Sequence, residues 1–157
     1  MLPTVALVGR PNVGKSTLFN KLTNSRDALV ADVPGLTRDR RYGRMDVQEG
    51  QATLIDTGGL FGEHVLANEL TGQTQLAVDE ADLVLLLLDG REGVTAADED
   101  VVTYLRKSNV AFLPVINKID GLNEDQITAD FVRFGFPESA MISASHNRGL
   151  KQLRESI

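Results

Sequence analysis

The chain contains no cysteine in its 157 residues, which excludes both a disulfide framework and a thiolate metal centre. Its N-terminus lacks the charged leader, apolar core and small-residue cleavage site of a secretory signal, so none is expected. Long apolar runs are missing too. The longest strongly apolar one, Leu83–Leu88, is far shorter than the roughly 20 residues a helix needs to span a bilayer. No membrane partner is expected, and a cytoplasmic protein is the simplest reading. Acidic residues are scarce only at the start: residues 1–45 hold eight Lys or Arg against three Asp or Glu, and the remainder holds eight against nineteen. The net charge of −6 conceals that asymmetry. The acidic remainder argues against a broad grip on nucleic acid, so little direct nucleic-acid binding by this domain alone is expected. Hydrophobic residues at 42% and charged residues at 24% suit one globular domain with a sizeable core.

Gly9-Arg10-Pro11-Asn12-Val13-Gly14-Lys15-Ser16 has the spacing GxxxxGKS, after the apolar run Val5–Val8, part of a strand expected over Thr4–Val8, and before the amphipathic Thr17–Leu22. A buried strand, a glycine loop and a helix are the context in which this spacing cradles phosphates. The glycines let backbone N–H groups turn inward around phosphate oxygens, and the helix start adds its positive dipole end. Lys15 can reach the β- and γ-phosphates, and the Ser16 hydroxyl can ligate Mg²⁺. A nucleoside triphosphate is the expected ligand.

Residues 25–40 have little periodicity, as functional or disordered loops do. Within them Pro34-Gly35-Leu36-Thr37-Arg38-Asp39 leaves two readings of Thr37 open: a second Mg²⁺ hydroxyl that senses the γ-phosphate, or an ordinary loop residue. Arg38, Arg40, Arg41 and Arg44 leave three: a solvated surface, a contact to RNA or another partner, or an arginine acting on the transferring phosphate. Arg41–Val47 and Gln51–Ile55 are expected as strands joined by a turn at Glu49-Gly50. The second ends in Asp56-Thr57-Gly58-Gly59. Good turn chemistry explains a lone Asp-x-x-Gly, but a strand end downstream of a phosphate loop favours a site. Asp56 can hold Mg²⁺ through water, and Gly59 can offer a backbone N–H to the γ-phosphate. His64 is open between an exposed loop histidine and a catalytic base.

Helices are expected over Glu69–Glu80, with Leu70, Gln73, Leu76, Ala77 and Glu80 in helical register, over Ala96–Lys107 and over Asn123–Phe134. Leu83–Leu88, Val110–Ile116 and Glu138–Ile142 are expected as strands. Val110–Ile116 delivers Asn117-Lys118-Ile119-Asp120, about 100 residues after the phosphate loop. The Asp120 carboxylate can accept from both N1–H and the 2-amino group of guanine, whereas adenine would leave it opposed and unpaired. The Lys118 stem can cover a purine face, and Asn117 can tie this loop to the phosphate loop. Ser143-Ala144-Ser145, weak as a signal by itself, is small enough to let a backbone N–H approach the purine O6. The last helix, from Leu150, runs to Ile157 in mid-pattern, which suggests a longer natural polypeptide.

These segments, in this order, resemble the guanine-nucleotide-binding motifs of the translation-factor-like GTPases over essentially the whole chain. Gly-Arg-Pro-Asn-Val-Gly-Lys-Ser, Pro-Gly-Leu-Thr-Arg-Asp-Arg and Asp-Thr-Gly-Gly resemble in particular the first GTPase domain of the Der (EngA) family of bacterial ribosome-assembly GTPases, which carry tandem GTPase domains and a KH-like domain. The resemblance implies an α/β P-loop NTPase of the Ras-like G-domain type: a six-stranded, mostly parallel sheet with helices on both faces. It implies one GTPase domain over residues 1–157, cut from a tandem protein, and a part in large ribosomal subunit maturation. The implied phosphate contacts fall on Gly9, Asn12, Val13, Gly14, Lys15, Ser16 and Thr17. Implied Mg²⁺ ligands are Ser16 and Thr37 with Asp56 near the ion, and implied guanine contacts are Asn117, Lys118, Asp120, Ser143 and Ala144.

Many GTPases place a water-orienting glutamine directly after the Asp-x-x-Gly glycine. Leu60 stands there and cannot hydrogen-bond a water. In potassium-activated relatives an asparagine at the position of Asn12 helps hold K⁺ beside the phosphates, in the role of an arginine finger. K⁺-stimulated GTP hydrolysis to GDP, with Lys15, Thr37, Gly59 and Asn12 as its catalytic set, is therefore expected. The alternative is a nucleotide-gated binding module with negligible hydrolysis, in which GTP orders residues 25–40 and 57–68. An ATP-dependent kinase is disfavoured by Asp120.

Overall fold

The apolar runs pair into one sheet. The structure, a computed structural model, describes residues 2–10, 13–23, 41–57, 72–133, 135 and 139–157. These residues form strands β1 (Thr4–Val8), β2 (Arg41–Val47), β3 (Gly50–Asp56), β4 (Leu83–Asp89), β5 (Phe112–Asn117) and β6 (Ala140–Met141). The helices are α1 (Lys15–Thr23), α2 (Gly72–Glu80), α3 (Ala96–Lys107), α4 (Glu124–Arg133) and α5 (Leu150–Ser156). The six-stranded sheet has the order β2-β3-β1-β4-β5-β6, and only β2 runs antiparallel to its neighbour. The expected six-stranded, mostly parallel α/β sheet is what is found.

Both faces of the central strands are covered, which is why they read as unbroken apolar runs. Alternate residues of β1 and β4 feed two cores. Ala6, Val8, Val84, Leu86 and Leu88 pack with Ala77 and Val78 of α2, Val101, Val102 and Leu105 of α3, and Ile127 and Phe131 of α4. Val5, Leu7, Leu85 and Leu87 pack with Leu18, Phe19 and Leu22 of α1 and Leu153 of α5. Because β1 has β3 on one side and β4 on the other, the loop after β1 leaves the sheet where the strand order reverses. That crevice is where open α/β sheets bind ligands.

The boundaries of β1, α3 and β2 are as expected. The β2–β3 turn is not. Val47 pairs with Gly50, so Gln48 and Glu49 form the turn and Gly50, at φ +138°, opens β3. A side chain is strained at that angle, which is why glycine marks the spot. Helix α2 also differs, because Leu76 is 51% exposed while Thr74, Ala77 and Val78 are buried. The small Ala77 lets the helix sit close on β1, and that rotates Leu76 outward. The start expected for this helix, residues 69–71, lies outside the described residues. The last strand is cut to two residues because Ser143 and Arg148 close a short loop directly after it. Strand β5 starts at Phe112, two residues later than expected. Among the described residues no helix is long and apolar enough to cross a membrane.

Candidate functional site

The ligand edge is assembled from three loops. The first follows β1. Val13 is fully buried and anchors the loop, and Leu18 N–H donates to Gly14 O at 3.0 Å to start α1. Lys15 Nζ folds back and donates to Gly9 O at 2.7 Å. Burial holds the Lys15 ammonium below the usual lysine range, and the nearby Asp56 charge opposes that shift. Ser16 and Thr17 are exposed in the first turn of α1, where backbone N–H groups lack intrahelical partners. Asn12 lies outside the described residues.

The second loop follows β5. Asn117, buried, donates from Nδ2 to Val13 O at 2.9 Å and accepts at Oδ1 from Ala144 N–H at 3.0 Å. One amide thus joins the phosphate loop, the base loop and the Ser143-Ala144 loop, as its expected role requires. Gly14 is what permits this: it has φ +100°, and a Cβ there would collide with Asn117 Nδ2. Lys118 sits at φ +63°, with Nζ 3.1 Å from Asp89 Oδ2. Ile119 is buried and pins the loop to the core.

Asp120 Oδ1 accepts from the Ser143 hydroxyl at 2.9 Å, and Oδ2 accepts from Arg91 Nη2 at 2.9 Å. The Ser143 hydroxyl first, then Asp120's own backbone N–H and the Arg91 charge, outweigh desolvation and hold the Asp120 carboxyl below the usual range. Of the backbone N–H groups in Ser143-Ala144-Ser145, one of which is expected to approach a purine O6, that of Ala144 is bonded to Asn117 here. Ser143 is fully buried, exchanging two backbone hydrogen bonds of 3.0 Å with Arg148.

The third element is the end of β3. Asp56 is 2% exposed, with Arg41 Nη1 3.7 Å away. Thr57 Oγ1 donates to Leu7 O at 2.7 Å, stitching this end to β1. The Asp56 carboxylate and the exposed Ser16 hydroxyl are hard oxygens, the kind of donor that Mg²⁺ takes together with phosphate oxygens. Thr37, Gly59, Leu60 and His64 lie outside the described residues, as do Arg38 and Arg40. Of the basic cluster, Arg41 is committed: its guanidinium lies 4.5 Å from the Phe19 ring centroid and donates to Asn20 Oδ1 at 2.6 Å. Arg44 is exposed.

Sequence reasoning missed the connection between β4 and α3. Asp89, buried at the end of β4, accepts at Oδ1 from the backbone N–H groups of Arg91 and Glu92, at 2.8 and 3.2 Å. Burial raises its pKa, but these bonds and the Lys118 ammonium prevail and hold it below the usual carboxylate range. Arg10 of the phosphate loop pairs with Glu92 at 3.0 Å and with buried Asp98 at 3.3 Å. The one available signal was the Asp-Gly after an apolar strand, which reads equally well as a turn.

Comparison with known proteins shows the family. The family model described as 50S ribosome-binding GTPase matches residues 4–118. GTPase Der of Marinomonas sp. (strain MWYL1) is 53% identical over 100% of this chain and 36% of its own length. GTPase Der of Yersinia enterocolitica is 52% identical, again over 100% of this chain and 32% of its own. The chain therefore spans about a third of the length of the curated relatives it matches. Among solved structures, Aquifex aeolicus Era bound to GDP and AlF4⁻ is 29% identical with a TM-score of 0.78, covering 97% of this chain and 54% of that one. The G domain of the T. maritima FeoB iron transporter is 25% identical with a TM-score of 0.69, over 98% of this chain and 94% of its own. A phosphate loop, a base loop and the amide that joins them thus stand on a Ras-like sheet, and the chain belongs to the 50S ribosome-binding GTPase family.

Proposed function

We propose that this domain binds GTP and hydrolyses it to GDP as a switch in large ribosomal subunit assembly. The observation that supports the reading is Asn117, whose two hydrogen bonds tie its own loop, which also carries Asp120, to Val13 of the glycine loop and to Ala144. Lys15 would exchange Gly9 O for phosphate oxygens, a charge-assisted bond in place of a neutral one. Ser16, with Asp56 behind it and Thr37, would hold Mg²⁺, which supplies charge neutralisation at the β- and γ-oxygens. Gly59 would offer its N–H to the γ-phosphate, and Asp120 with Lys118, Ser143 and Ala144 would hold the base. Gly9, Val13, Gly14 and Thr17 complete the cradle. K⁺ held at Asn12 would stimulate hydrolysis where Leu60 supplies no water-orienting group.

The proposal extends to the larger protein. This domain would be the first of two GTPase domains, working in the cytoplasm with its companion domains and the large ribosomal subunit. Era, its structural neighbour, has been solved in complex with MgGDPNP and nucleotides 1506–1542 of 16S ribosomal RNA. Competition of GTP and ATP for one labelled nucleotide, followed by phosphate release in KCl and in NaCl, tests the scheme. GTP preference and faster release in KCl are expected. Preference for ATP overturns the base assignment, and equal rates in both salts overturn the K⁺ role. Leu60 favours a second reading, a gated binding module without appreciable turnover, and a single-turnover assay lacking phosphate release would leave only that one.

A further inference from the structure

The guanine-selecting carboxylate does not stand alone. It is braced from a loop 29 residues away in sequence, and that brace is built in layers. Asp89 is buried at the end of β4 and closes the following turn by accepting from Arg91 N–H and Glu92 N–H. Gly90 N–H donates to Asn117 O at 2.8 Å, so the turn lies directly against the base loop. From that fixed start the Arg91 guanidinium reaches across. Its Nη2 is 2.9 Å from Asp120 Oδ2 and 3.3 Å from Asp120 O, and its Nε is 3.4 Å from Lys118 O. Lys118 returns the contact to Asp89 at 3.1 Å. Two charged pairs thus cross between the loops.

We propose that Arg91 is a positioning residue for base selection, holding Asp120 in the one orientation in which both of its oxygens face the purine edge. The proposal rests on the reading of Asp120 as the guanine acceptor. An ionised carboxylate offers about four lone-pair sites, two on each oxygen. Ser143 takes one on Oδ1 and Arg91 takes one on Oδ2. His146 Nε2, at 3.5 Å from Oδ2, is too far to take another. These side-chain donors leave one site on each oxygen, matching the two donors that guanine presents side by side. Without Arg91 the carboxylate keeps the Ser143 bond on Oδ1 and the contact of its own backbone N–H but loses its side-chain tie on Oδ2, and rotation about its terminal bond, which is intrinsically soft, misaligns that oxygen. The second donor then counts for less, whereas a base with only the N1–H donor loses little. Arg91 therefore acts on discrimination more than on affinity in general.

Binding of GDP and of IDP, whose hypoxanthine lacks the 2-amino group, separates this from a merely structural brace. In Arg91→Ala the GDP affinity should fall about tenfold and the IDP affinity about twofold or less, so that selectivity between them drops. Arg91→Lys, which keeps the charge without the planar fork, should recover part of the selectivity. Equal weakening toward both nucleotides, or unchanged selectivity, would overturn the proposal. The parent chain is the control for the underlying assignment: if it fails to prefer GDP over IDP, the guanine reading of Asp120 fails first.

Discussion

Arg10 and Asp98 meet at 3.3 Å across 88 residues of sequence, joining the phosphate loop to the first turn of α3. Asp98 also closes a capping box, accepting from Thr95 N–H at 2.9 Å while the Thr95 hydroxyl accepts from Asp98 N–H at 3.3 Å. One carboxylate thus serves both a helix start and a part-buried guanidinium. Arg10 Nη2 is buried without a partner among the described residues, so Asp98 and Glu92 carry most of the compensation for its charge.

Asp98→Ala removes the reciprocal half of the capping box and the buried partner of the part-buried Arg10 guanidinium, and should destabilise the chain by about 3 kcal/mol. Glu92→Ala, on the exposed side of the same arginine, should cost under about 1 kcal/mol. Urea unfolding of the two variants measures the contrast. Similar losses would mean that burial of Asp98 does not set the energetics.

Lys15→Met should separate stability from binding. The folded chain holds the Lys15 pKa below its unfolded value, so between those two values the unfolded state binds more protons and stability rises with pH. Below the folded value the charged lysine is a full cost, only partly offset by Asp56. The methionine variant should therefore be more stable without nucleotide at pH 7, by about 1 kcal/mol, and should lose that alkaline rise. Its GTP affinity should fall about 100-fold or more. Thermal melts with and without GTP would check both halves, and a variant less stable than the parent would contradict the first.

Asp89 carries the opposite sign. Its folded pKa is depressed, so its contribution is complete above the unfolded carboxylate value of about 3.9 and disappears as pH falls through the folded value. Asp89→Asn should be less stable than the parent by about 1–3 kcal/mol at neutral pH, and the gap should close in acid below the ordinary carboxylate range. Urea midpoints at neutral and acid pH give the comparison. A gap that stays constant into acid would assign the effect to packing.

What was readable in the sequence was whatever is encoded locally. Strand β1 shows itself as an apolar run, and α3 carries its own cap and acidic first turn, so both sets of limits came out right. Asn117 and Asp120 announced themselves through a motif at a strand end. The β4–α3 connection did not. Arg91 and Arg10 act through partners 29 and 88 residues away, and no spacing within one chain encodes such pairings. The face of α2 was misjudged for a related reason. Helical register identifies which residues share a side, but the neighbouring strand decides which side is buried, and β1 selected Ala77 and Val78 over Leu76.

The antiparallel course of β2 has a practical consequence. Because β3 points its Asp56 end toward the ligand edge, the exposed Gln48–Glu49 turn lies at the opposite edge of the sheet. A fluorophore, an affinity handle or new chain ends placed there would leave the loops around Lys15 and Asp120 as they are. The turn is a port into the molecule, on the side facing away from its chemistry.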